Sequence, residues 1–205
     1  MDGLGRAYFI LSNIYMQVPG KDFSMALERE ILPSFAALRE KAAEKGWTRV
    51  LEALHLTEEG AQGKDLAQEF TRLFRGVRPG YGPKPPYESL YRGEKTVMGD
   101  IAGEVKTRYK EAGLSVEARF KGEPPDHISF ELFFLSHLHL IEDELRKEKK
   151  SQDAEGIAAQ RRSFVEEHAS RWVPAFCDAI IEAADTKFYK GIASLTKEML
   201  RLEQQ

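Results

Sequence analysis

Cysteine is almost missing from this sequence, with Cys177 the single instance. One thiol closes no internal disulfide, so nothing in the chain points to an oxidising compartment. Cys177 lies in an apolar stretch, where a free thiol behaves as a small hydrophobe rather than a nucleophile. Surplus charge is missing too. Thirty Lys and Arg face 33 Asp and Glu, a formal net charge of −3. A general nucleic-acid binder needs excess positive charge to displace counterions from phosphates, so nucleic acid is not an expected partner. No apolar run approaches the roughly 20 residues needed to span a bilayer, so no membrane insertion is expected. The first apolar stretch, residues 7–15, is broken by Ser12 and Asn13 and lacks the cleavage pattern of a signal peptide. The expected location is the cytoplasm.

The usual signatures of catalysis are absent as well. There is no GxxxxGK[ST] phosphate loop, no GxSxG and no HExxH. Glu52 and His55 form one ExxH pair, but a di-iron bundle needs two such pairs and two further carboxylates. His127 and Glu131 are four apart, which places them on one helical face, a spacing compatible with metal. His137 and His139, two apart, point to different sides of a helix and do not easily serve one site. A small helical metalloenzyme using His127 and Glu131 is therefore an alternative, while the main reading is a protein with no catalytic residues and no cofactor.

What the sequence has in abundance is helical periodicity. Leu4, Ala7, Tyr8, Leu11, Ile14, Tyr15 and Val18 mark one face of a first helix, which Pro19-Gly20 ends. Phe23, Leu27, Ile31, Phe35 and Leu38 continue the period, with Pro33 a kink or a break. Residues 47–56 form a short third helix, and Thr57 before Glu58 and Glu59 is an N-cap candidate. The helix it would open, weakened by Gly60 and Gly63, begins nearer Lys64 and runs to Phe74. From Gly76 to Gly93 four prolines and four glycines exclude a regular element. Helical spacing returns at Val97, Ile101, Val105 and Tyr109, with Gly113 a C-cap. A second loop, residues 114–125, leads to the longest helix, capped by Asp126 and ending near Lys149. Two or three more helices cover the remainder, their sharpest junction at Trp172-Val173-Pro174. No sustained period-2 run of β-branched residues, internal repeat or low-complexity tract interrupts this pattern. The expected fold is all-α: a single-domain bundle of roughly nine helices, residues 1–205, with two long Pro/Gly-containing loops. A chain of this length buries roughly 70% of its unfolded surface and needs no disulfide or metal to stay folded.

Two loop segments carry the ambiguous residues. Asp126 caps a helix, and the stiff approach through Pro124 and Pro125 equally suits a polar pair, Asp126 and His127, aimed at a ligand. Tyr81, Tyr87, Leu90 and Tyr91 either pin their loop to the core or line a groove. Both readings of each loop stay open on the residues alone.

These same segments resemble a known family. Glu69-Phe70-Thr71-Arg72-Leu73-Phe74 is followed by Pro85-Pro86-Tyr87-Glu88-Ser89-Leu90-Tyr91. Tyr109-Lys110-Glu111-Ala112-Gly113-Leu114 is followed by Pro125-Asp126-His127-Ile128 and Glu131-Leu132. Phe164, His168, Trp172, Pro174 and Phe176 come next, then Phe188-Tyr189 and Thr196. Their order and spacing are similar to those of the TorD/DmsD-type redox-enzyme maturation chaperones, which include the NarJ-like proteins. Ala169 departs from the pattern, where leucine is common. The resemblance implies a cytoplasmic, system-specific chaperone that does no catalysis and is a monomer or dimer. It would bind the twin-arginine leader and the apo body of a molybdenum-cofactor oxidoreductase subunit, delaying export until the cofactor is inserted. A receptor for two guanidinium groups beside an apolar stretch pairs carboxylates with an apolar, partly aromatic groove. Its candidates are Glu88, Glu123, Asp126 and Glu131 with Phe70, Leu73, Phe74, Pro86, Tyr87 and Tyr91. His127, kept neutral by the helix dipole, would bond the leader's backbone. That groove requires the two loops to meet in space. An adaptor that binds only folded partners is the remaining alternative.

Overall fold

The computed structural model describes residues 3–20, 23, 29, 31–61, 66–76, 81–115 and 122–205. Among these, nine helices are at least nine residues long, and no strand occurs beyond one isolated bridge. In chain order they are α1 (Gly3–Met16), α2 (Leu32–Ser34), α3 (Ala36–Lys45), α4 (Thr48–Gly60) and α5 (Leu66–Phe74). Then come α6 (Glu88–Tyr91), α7 (Asp100–Glu111), α8 (Ile128–Lys147), α9 (Ser151–Phe164), a π turn (Val165–Ala169), α10 (Ser170–Ala183) and α11 (Lys187–Glu203). The all-α bundle expected from the periodicity is what the chain forms. Leu27 and Lys64 lie outside the described residues.

Helix α8 is the axis of the fold. Its first three turns are apolar nearly all round and buried, while its last turns carry Arg146 and Lys147 in solvent. That is the pattern of a helix whose N-terminal half is enclosed and whose C-terminal half is amphipathic. It packs between α1 and α9. Tyr8 of α1 stacks on His139 at 5.8 Å, and Phe9 meets Phe133 at 6.2 Å. The other main contact joins α11 to α4 and α10. One continuous core runs from Ala7 to Leu200 and includes Cys177, whose thiol burial pushes well above its usual pKa.

Four local expectations are corrected. Thr57 caps nothing: it lies buried inside α4, and its hydroxyl donates to the Ala53 carbonyl at 2.8 Å. The region 76–93 is not wholly irregular, because residues 88–91 close one helical turn. No junction falls at Trp172-Val173-Pro174. Helix α10 runs through Pro174, and the irregularity sits one turn earlier as the π turn. A widened turn upstream gives the proline ring room it would lack in a regular helix. Asp126 does not cap α8, as described below. Pro33 does mark a break, with Phe35 the hinge between α2 and α3. Gly113 also behaves as expected. Its φ is +71°, Leu114 N–H donates to the Tyr109 carbonyl at 2.8 Å and Gly113 N–H to that of Lys110 at 3.0 Å. These are the two bonds of a Schellman cap.

Candidate functional site

The two loops meet. Tyr87 and His127 form an antiparallel bridge, with Glu88 N–H donating to the Asp126 carbonyl at 3.0 Å and Ile128 N–H to the Pro86 carbonyl at 2.9 Å. Tyr87 and His127 are also the N-caps of α6 and α8, both with extended backbone. Two helices therefore start from one bridging pair.

The caps are crossed. Asp126 Oδ2 accepts from Ser89 N–H at 3.0 Å, so this carboxylate caps α6, the partner loop's helix. His127 Nδ1 accepts from Ser129 N–H at 3.1 Å and caps α8 itself. An acceptor at Nδ1 requires an uncharged ring with its proton on Nε2. Burial, with a smaller push from Arg75, lowers the His127 pKa to about 3, so the ring is neutral as expected. The expected cause, the helix dipole, is replaced by burial.

Behind the bridge lies a cluster of buried acids. Glu88, Asp126 and Glu131 are each fully buried. Glu88 takes its partners from two elements: His168 Nδ1 of the π turn at 3.0 Å and Arg92 at 2.7 Å. Glu131 accepts from the Trp172 indole N–H at 3.0 Å. Burial first, and then the charge of Glu88, raise the Glu131 pKa well above the usual carboxylate range. Burial raises that of Asp126 against the opposing effect of Ser89. Tyr109 closes the cluster by donating to the Pro125 carbonyl at 3.0 Å. Its ring packs on Phe134 and Phe164, and Phe164 in turn stacks on His168 at 5.1 Å.

The remaining candidates divide by exposure. Phe70, Leu73 and Phe74 are core residues, with Phe74 packed on Tyr15, Phe176 and Tyr189. Pro86 is buried. Tyr87, Tyr91 and Glu123 are half-buried and reach the surface. The Tyr87 hydroxyl donates to Glu123 at 2.6 Å, and Tyr91 lies over Trp172 and Phe176 while bonding the Lys84 carbonyl. The pair considered for metal is divided between different partners, His127 facing Ser129 and Glu131 facing Trp172. No group of three His, Cys, Asp or Glu residues among those described is placed to hold a metal ion.

Sequence reasoning gave no role to three residues that organise the site. His168, Trp172 and Ser89 are the partners of Glu88, Glu131 and Asp126. His168 and Trp172 stand four apart, one helical turn, and that spacing was the available signal. Glu69 has a comparable hidden role. Its carboxylate accepts from Asp185 N–H and, at 3.1 Å, from Thr186 N–H at the start of α11, while Arg72 bonds the Ala183 carbonyl at 3.0 Å.

From the blocks that drew the comparison, Pro86, Tyr87, Glu88, Ser89, Tyr109, Pro125, Asp126, His127, Glu131, His168 and Trp172 thus converge on one place. The family model described as nitrate reductase delta subunit matches residues 37–178, which hold the bridge, the acid cluster and the π turn. The chain belongs to the nitrate reductase delta subunit family. Among similar members, the chaperone protein TorD of Photobacterium profundum is 32% identical over 149 residues, 72% of this chain and 65% of that protein. TorD of Vibrio parahaemolyticus is 29% identical over 140 residues, covering 68% and 62% of the two chains. These two matches span just under two thirds of the relatives' own lengths. TorD of Vibrio cholerae is 23% identical over 200 residues, 96% of this chain and 88% of the relative. A solved protein of Archaeoglobus fulgidus, assigned to redox enzyme maturation, shares the delta-subunit fold. It superposes with a TM-score of 0.53 at 24% identity, covering 96% of this chain and 93% of that one. No helix among the described residues is long and apolar enough to cross a membrane.

Proposed function

We propose that this delta-subunit family member is a cytoplasmic chaperone, not an enzyme, for a molybdenum-cofactor oxidoreductase subunit. It binds the twin-arginine leader and the apo body of that client and delays export until the cofactor is in place. The observation that carries the reading is the bridge of Tyr87 to His127, which joins two Pro-rich loops into one rigid surface. Loops held on a rigid scaffold lose little entropy when they bind, which favours affinity for an extended peptide. Membership of a family whose similar members are named chaperones supports the same role.

On this reading the binding face is Tyr87, Tyr91 and Glu123. Pro86, Glu88, Asp126, His127 and Glu131 hold its backbone from inside, and Phe70, Leu73 and Phe74 form the floor beneath. Calorimetric titration with a twin-arginine leader peptide at two salt concentrations tests it. Saturable binding that weakens with salt and vanishes when both arginines become alanine is the expected result. No binding to any of several such leaders would overturn it.

A further inference from the structure

Glu88 and Glu131 are fully buried and stand within hydrogen-bonding reach of each other. His168 and Trp172, one helical turn apart, serve one carboxyl each. Two carboxyls in contact do not both ionise inside a protein, because like charges repel strongly where water is absent. The charged groups around the pair leave that conflict standing. Glu88 has Arg92 on its own helix, but Glu131 has no cationic partner among the described residues, only the neutral indole of Trp172. Asp126, from the loop before α8, adds negative charge to the field at Glu131. Tyr109 of α7 adds none, since burial keeps its hydroxyl protonated. A single proton held between Glu88 and Glu131 removes the conflict.

Such a proton has a way out. An open cleft of about 550 Å³ lies beside the pair, lined by Tyr91, Arg92, Glu104, Glu167, His168 and Arg171. Its charges balance: Glu88 holds Arg92, Arg108 holds Glu167, and Glu104 and Arg171 are opposite in sign. His168 is only 3% exposed yet forms part of the cleft wall, with Nδ1 turned onto Glu88 at 3.0 Å. An imidazole in that place passes a proton and ends uncharged. Nδ1 takes the proton from the Glu88 carboxyl, Nε2 gives its own to water in the cleft, and the ring is left as its other neutral tautomer. The products are a second carboxylate in the pair and one hydronium ion, reached without opening the fold.

The pair lies under the candidate binding face. Glu88 opens α6, with Tyr87 just before it and Tyr91 at the helix's end. Glu131 lies in the first turn of α8, whose N-cap, His127, is the bridge partner of Tyr87. We propose that the proton shared by Glu88 and Glu131 is a latch on this face. With the proton in place, the bridge, Tyr87 and Tyr91 are held ready to bind. Its loss sets two buried negative charges between the starts of α6 and α8, which drives α6 outward and weakens the hold on a peptide. The assignment rests on the leader-binding reading above and adds its regulation. Burial raises the Glu131 pKa, so the latch is closed at low pH and opens as pH rises through the raised value.

Trp172 reports on the proton directly, because its indole N–H donates to Glu131. Trp47→Phe leaves Trp172 as the single tryptophan. In that variant the emission should shift along a one-proton curve between about pH 5 and pH 9, the range in which buried glutamates titrate. Affinity for a twin-arginine leader peptide should fall by up to about tenfold per pH unit above the midpoint, the limit for one linked proton. Adding Glu131→Gln should make both emission and affinity flat. Calorimetry of Trp47→Phe in buffers of different ionisation enthalpy counts protons without altering the pair, and binding above the midpoint should take one up. An emission that does not titrate, one that still titrates with Glu131→Gln, or an affinity level across the titration would overturn the latch and leave the leader reading standing. A normal emission titration with no leader bound at any pH would overturn the leader reading, and the latch's control of binding with it.

Discussion

Glu131→Gln tests whether the acid cluster holds a proton. Glu131 is fully buried, touches the charge field of Glu88 and Asp126, and accepts one hydrogen bond from Trp172. Its pKa in the folded protein is raised above the unfolded value of about 4.3. A group raised in this way contributes its full stability below the unfolded pKa and loses it as pH rises towards the folded one. One proton's difference tilts stability by at most about 1.4 kcal/mol per pH unit across that window. Glutamine keeps a carbonyl oxygen for the Trp172 N–H, gives Glu88 an N–H donor and has no proton to lose. Glu131→Gln should therefore match the parent near pH 4.5 and become progressively more stable than it as pH rises. Urea melts of both proteins at several pH values measure this, and taking the difference at each pH cancels all other titrations. Glu131→Ala is the contrasting variant. It leaves a buried indole N–H without a partner and opens a cavity, at a cost of about 3 kcal/mol. If Glu131→Gln were destabilised by the same amount at every pH, Glu131 would be buried as a carboxylate, and the proton-sharing account would be wrong.

Further outcomes follow from single features. His127 has its pKa lowered to about 3, so its contribution is present above pH ~6.5 and is lost as pH falls from there. His127→Asn, which keeps a capping acceptor, should flatten the acid limb of the stability profile measured by circular dichroism. Lys149 sits at φ 61° in the cap that ends α8, so Lys149→Gly should add about 1 kcal/mol and raise Tm by about 2–4 °C. A methyl group on Gly191 would meet Thr57 N at 2.5 Å and the Ala53 carbonyl at 2.9 Å, so Gly191→Ala should cost about 1–3 kcal/mol by forcing α11 away from α4. A melting curve for each variant is the check. Asp126→Ala strands the Ser89 N–H inside the protein, and should lower Tm as well as leader affinity.

Helix positions were legible in the sequence because apolar spacing records which face of each segment is buried. The partner of that face was not legible. Phe70, Leu73 and Phe74 are groove candidates by sequence and core residues in the fold, since periodicity does not say whether a surface is covered by the same chain or by another. Caps failed for a related reason. Thr57 and Asp126 are good capping residues by type, but Asp126 serves a helix 37 residues away along the chain, a choice only tertiary structure makes. Short helices escape too: four residues at 88–91 sit among prolines and glycines, and they are helical because Asp126 supplies the missing cap. Within the site, the loop residues stood out by their stiffness, whereas His168 and Trp172 sit on an ordinary-looking helical stretch and become significant only beside Glu88 and Glu131.

The crossing of α4 and α11 sets the order in which the molecule can be completed. Gly60 touches the backbone of Phe188 and Gly191 that of Thr57, contacts spanning some 130 residues of chain. Helix α11 also supplies Thr196 to the Tyr15 hydroxyl and Glu203 to the His139 ring, and Glu69 accepts from the N–H of Thr186, its N-cap residue. Until Lys187–Glu203 has left the ribosome, α1, α4 and α5 therefore wait with apolar faces uncovered. Contacts this distant in sequence slow folding because a long loop must close before any of them forms. A protein proposed to shield an unfinished client is itself unfinished until α11 arrives.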